Sequence, residues 1–114
     1  MKHSIGKSFA VGTAQNIFTV PNGFIAVVYM VYTTNTSGNT GSYNMSWRHA
    51  HDPNHVIRFA YGKSISAGNS DMFSQGELIM KEGDSLTITN TVSMDVIATF
   101  DLIKSLPLYA FAGE

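Results

Sequence analysis

Three histidines crowd one short stretch, His49, His51 and His55, and imidazole is a side chain suited to holding a divalent ion near neutral pH. On an extended strand His49 and His51 point to the same side, and His55, beyond the turn at Asp52-Pro53, could bring a third nitrogen. A zinc, iron or manganese site is the chemistry that such a face would offer. A histidine cluster without partners to orient the rings specifies little, however. The expectation is a polar turn at the end of a strand, with no metal and no cofactor.

Other chemistries fare no better. None of the many serines and threonines stands in a nucleophile elbow, and Asp95 and Asp101 are too far apart along one strand to act as a carboxylate pair. The Gly-rich loop Asn35 to Ser42 lacks the lysine of a phosphate-binding loop and leads into a strand rather than a helix. The chain is therefore expected not to be an enzyme. Sugar binding would need exposed aromatics at loop ends, for which Trp47 or Tyr61 would have to face out; the alternation of apolar residues places them in the core instead.

Composition narrows the partners. Charged residues are 13% of the 114 and apolar residues 44%, so the surface must rest on Ser, Thr, Asn and Gly, which suits burial in an assembly. The net charge of −1, with scattered Lys and Arg, offers no field for nucleic acid and none for an anionic membrane surface. There is no cysteine, so neither disulfides nor thiolate ligands are available. The opening MKHSIGKSFAVGTAQ has no continuous apolar core of the kind a secretory signal needs, and no apolar run is long enough to span a bilayer as a helix.

The elements that would carry these residues all read as strands. The central one follows the turn Pro21-Asn22-Gly23 and is apolar on both faces: Phe24, Ala26, Val28, Met30 and Tyr32 on one, Ile25, Val27, Tyr29 and Val31 on the other. Residues 1–6 read as loose, with strands expected near Lys7 to Val11 and Asn16 to Val20. Tyr43, Met45 and Trp47 share an inward face in the next strand, as do Ile57, Phe59 and Tyr61 after it. Short strands are expected near Ser64 to Ser66, Asp71 to Phe73 and Glu77 to Lys81. Clear alternation returns with Leu86 and Ile88, then Val96, Ala98, Phe100 and Leu102 inward, with Asp95, Thr99 and Asp101 outward. No segment has helical periodicity. The expectation is a single all-β domain over residues 1–114, an antiparallel, jelly-roll-like sandwich of eight to ten short strands.

Only one face of the central strand can look into such a core. The other, Ile25, Val27, Tyr29 and Val31, is expected to form an interface together with the apolar arm 105–114, through Leu106, Leu108, Tyr109 and Phe111.

Several stretches bear on family. Val20-Pro21-Asn22-Gly23, the loop Asn35-Thr36-Ser37-Gly38, the segment ISAGNS at 65–70 and LIMKEGD at 78–84 together resemble small β-sandwich virion proteins of tailed bacteriophages. The Gly-Asp turn before a strand also resembles that of trimeric jelly rolls of the tumour-necrosis-factor and C1q type. The resemblance implies a non-enzymatic subunit, a homo-oligomer and often a trimer, that decorates a capsid or joins a neck or tail. Its partners would be copies of itself and other virion proteins, assembled into a virion in the host cytoplasm. Two alternatives stay open: a host-surface or glycan-binding adhesion module, and a metal-binding protein resembling cupins. For the latter, His49 and His51 match the His-x-His element, while its following Glu and its second motif have no counterpart.

Overall fold

A computed structural model describes residues 2–52, 56–74 and 76–105. Nine strands run through them: β1 (Lys2–Phe9), β2 (Gly12–Thr19), β3 (Phe24–Asn35), β4 (Gly41–Arg48), β5 (Val56–Ile65), β6 (Ser70–Phe73), β7 (Leu78–Met80), β8 (Ser85–Asn90) and β9 (Met94–Lys104). No helix occurs among the described residues. One sheet has the order β1-β9-β3, with β6 and β7 both on the far edge of β3; the other has the order β2-β8-β4-β5. All pairings are antiparallel, and the chain repeatedly crosses between the sheets, which makes a jelly-roll-like sandwich.

The core lies between the sheets. Met45, Leu86 and Ile88 from one sheet meet Ala26, Val96 and Ala98 from the other, all but excluded from solvent. The alternation expected for the last two strands holds: Val96, Ala98 and Phe100 are buried inward, Leu102 packs on their cluster, and Asp95, Thr99 and Asp101 lie on the opposite face. Tyr43 and Met45 are likewise buried, and Trp47 packs half-buried against the core.

The central strand departs from simple alternation. β3 pairs with β9 in continuous register except between Val28↔Phe100 and Met30↔Thr99, where Tyr29 is an extra residue. A bulge of one residue exchanges the two faces of everything beyond it. Ala26 and Val28 are inward before it; Val31, Thr33 and Asn35 are inward after it. Val31, expected at an interface with Ile25, Val27 and Tyr29, is instead a core residue at 4% exposure. Met30 and Tyr32, expected on the same face as Ala26 and Val28, take its place outside.

β5 carries two further irregularities. Its register with β4 slips between Tyr43↔Lys63 and Met45↔Ala60, and again before Ser46↔Arg58. Gly62, at φ +58°, supplies the left-handed turn at the first slip, and its N–H donates to Asn44 Oδ1 at 2.5 Å. Ala60 therefore enters the core, while Tyr61, expected inward, is 74% exposed with the Arg58 guanidinium 5.0 Å over its ring. The short strand expected near Ser64 is the end of β5. The N-terminus also differs: residues 2–6, expected loose, belong to β1, which pairs without interruption from Lys2↔Asp101 to Phe9↔Met94.

Candidate functional site

Three strands and two short edge strands build one unusual surface. On the outer face of the β1-β9-β3 sheet the register sets Ile25 beside Ile103, Val27 beside Ile79, and Tyr32 between Ile97 and Met72. Met72, Ile79, Ile97 and Ile103 are 43% to 58% exposed, although a sandwich requires burial of only one face of each sheet. The opposite sheet shows what an ordinary outer face is: Asn44 and Thr89 pair there, as do Ser46, Thr87 and Arg58. Of the four β3 residues expected on this surface, Ile25, Val27 and Tyr29 are placed there and Val31 is not. Leu106, Leu108, Tyr109 and Phe111 lie outside the described residues.

A polar group sits within this apolar surface. The Tyr29 hydroxyl donates to Asp101 Oδ2 at 2.7 Å, and the Lys2 Nζ lies 4.8 Å over the Tyr29 ring. The hydrogen bond, helped by the charge of Lys2, holds the Asp101 carboxyl below its ordinary range although desolvation opposes this. The same bond raises the Tyr29 hydroxyl above its ordinary value, with desolvation and the charges of Asp101 and Glu77 adding to it.

Among the described residues His49 and His51 belong to no group that could hold a metal ion. His49 is half-buried and its ring packs on Trp47, with centroids 4.2 Å apart, while His51 is exposed. His55 lies outside the described residues, and among those described no three His, Cys, Asp or Glu are grouped to hold an ion. The polar centre of this region is Asp84, which sequence reasoning took only as part of the turn Glu82-Gly83-Asp84. It is 3% exposed and accepts from the Ala50 N–H at 2.9 Å, the Trp47 indole at 3.0 Å and the Lys81 N–H at 3.1 Å. Burial pushes its carboxyl up, but the three donors and the charge of His49 outweigh this and hold it below the ordinary value. Asp84 thus anchors the β4–β5 loop and the β7–β8 turn; it is a structural carboxylate. Tyr43 has a parallel role, bridging the sheets through a 2.6 Å hydrogen bond to Asp71, and burial followed by that bond raises its hydroxyl well above the usual range.

A cavity of about 620 Å3 opens between the sheets at the edge where β5 faces β6 and β7. Its origin is topological: β7 pairs with Ala26 to Val28 and β6 with Val31 to Thr34, so Tyr29 and Met30 meet neither strand. Trp47, Phe59, Phe73 and Leu78 line the gap, with Lys63 and Glu77 also on its wall.

No protein-family model matches the chain, and no curated protein matches its sequence. Among solved structures it is similar to one described as the globular domain of zebrafish complement 1qA protein, with a TM-score of 0.47 and 13% identity, over 91% of this chain and 98% of that one.

Proposed function

We propose that the chain is a non-enzymatic structural subunit that joins copies of itself through the outer face of the β1-β9-β3 sheet. The observation that carries this reading is the contrast between the two outer faces: one is polar apart from Tyr61, the other presents Met72, Ile79, Ile97 and Ile103 exposed, with Ile25 and Tyr32 half-buried among them. Exposed apolar area of this extent is a cost in water and a driving force once covered. A further copy offers the same surface, and around a three-fold axis one part of the face on one copy meets a different part on the next. The setting is the one the sequence resemblance implies, a tailed-phage virion, with a trimer as the favoured oligomer and a capsid, neck or tail protein as the neighbour.

Sedimentation velocity tests the reading. The chain is expected to run as an oligomer at micromolar concentration, and Ile97→Lys with Ile103→Lys to run as a folded monomer. A wild-type monomer, or an oligomer indifferent to both lysines, would overturn it.

A further inference from the structure

We propose that the cavity between β5 and the β6–β7 edge is a binding site for an anionic amphiphile, a molecule with an apolar chain and a carboxylate head such as a fatty acid. Protein interiors are packed with few voids larger than a water, whereas this opening of about 620 Å3 reaches Val28 and Val31 of the core and falls in the size range of ligand sites. The fold holds it open. The Tyr29 bulge and the separation of β6 from β7 remove the strand that would close the edge, and Ile57 stands 44% exposed on its wall.

The lining dictates the ligand. Trp47, Phe59, Phe73 and Leu78 give it an apolar body. Two of the polar side chains at the cavity wall are already engaged: the Trp47 indole N–H donates to Asp84 and the Tyr29 hydroxyl to Asp101, while the exposed Ser74 lies at the rim with Lys63 and Glu77. A sugar or nucleotide would leave most of its polar groups without partners against the apolar body, at a cost that an alkyl chain does not meet. The charged groups on the wall are Lys63 and Glu77, both exposed. Lys63 lies on the inner face of β5, opposite Tyr43, and its Nζ is 5.6 Å over the Phe73 ring, so a cation is held against the aromatic wall where a head group would emerge. Glu77 stands in the β6–β7 connection, where its charge adds to that of Asp101 in raising the Tyr29 hydroxyl. The anionic head is thus assigned to the β5 side.

Trp47 is the single tryptophan and lines the cavity, so its fluorescence reports occupancy directly. The probe is dodecanoate, added below its micelle concentration to the full chain. A saturable change with one site per chain is expected, weakened about three- to tenfold in Lys63→Gln, which removes one largely exposed charge contact. Ile57→Asp, placing a carboxylate on the cavity wall, should weaken it at least as much; circular dichroism and unfolding midpoints near wild type establish that both variants are folded. Absence of a saturable change overturns the site, as does binding that neither substitution alters, which would put the amphiphile on the outer sheet face. Equal or tighter binding of dodecyltrimethylammonium overturns the anionic head. Cosedimentation with phosphatidylglycerol vesicles without binding of free dodecanoate overturns it in favour of a membrane.

Discussion

Tyr29 and Asp101 are joined by a 2.7 Å hydrogen bond across β3 and β9, and Tyr29 is also the residue whose insertion exchanges the faces of β3. The bond closes at the point where the ladder is irregular. It fixes the bulged residue outward and, with Lys2 over the ring, gives the apolar face a polar landmark. In the proposed interface between copies such a group would set register, because a shifted pairing would bury the carboxylate against isoleucine.

The pair makes stability depend on pH in a defined direction. The folded-state value of Asp101 is depressed, so its contribution is present above the unfolded aspartate value of 3.8 and is lost as pH falls through the folded value. Tyr29→Phe removes the donor. Urea unfolding is expected to show the variant less stable than wild type at pH 7, and the gap to shrink as the pH is taken below 3.8. A gap of equal size throughout would mean that the hydroxyl acts by packing alone.

The bulge predicts opposite outcomes for two nearby residues. Val31→Ala opens space in the core and is expected to cost about 1–3 kcal/mol in urea or thermal unfolding. Met30→Ala acts on the outer face, where substitutions usually stay within about 0.5 kcal/mol in a monomer, so its main effect should be on the sedimentation profile. The reverse pattern would place Val31 outside and the register slip elsewhere.

The reading of faces from sequence succeeded where one face is polar and failed where both are apolar. In β9 every second residue is charged, hydroxylated or exposed, and a one-residue slip would have put Asp95 or Asp101 in the core, so the polarity pattern marks the register. In β3, Phe24 to Tyr32 is apolar throughout, and no change of residue type marks the extra residue at Tyr29. In β5 the face of Arg58 is marked by its charge, but two register slips follow it and hid the placing of Tyr61, with Gly62 as the one clue. Residues 2–6 of β1 were missed because an edge strand with polar residues on both faces has no alternation to detect; its partner β9 creates it. Of the apolar outer surface, the sequence disclosed that β3 has a spare apolar face. That Ile79, Ile97 and Ile103 continue it could come only from the pairing. The cavity, made by a gap between two strands, had no local signal, and Asp84 looked like any turn aspartate.

Asp84 should prove the most sensitive carboxylate in the chain. Asp84→Asn keeps the shape but replaces one acceptor oxygen by an amide that cannot accept from the Trp47 indole and the Lys81 N–H, or else from the Ala50 N–H. Leaving such buried donors unpaired is expected to cost about 2–4 kcal/mol. Its folded-state value is depressed, so the wild type loses this stabilisation as pH falls from 3.8 through the folded value, while the variant has none to lose. Trp47 fluorescence followed through urea unfolding reads both effects, since the indole is one of the three donors.

The turn that presents Asp84 depends on Gly83 for two separable reasons. Its φ of +83° is one that side chains rarely adopt, and a Cβ there would approach the Ala50 Cβ to 2.8 Å. Gly68 shares the first feature, at φ +75°, but a Cβ there meets nothing within 4 Å. Gly68→Ala is therefore expected to cost only the backbone strain, about 1 kcal/mol. Gly83→Ala adds a contact that must force the β4–β5 loop away from the turn, and with it the Ala50 N–H away from Asp84 Oδ1. Thermal unfolding should rank Gly83→Ala well below Gly68→Ala, and Trp47 emission should shift only in the former. Equal costs would show that the loop yields freely and that Asp84 does not hold it.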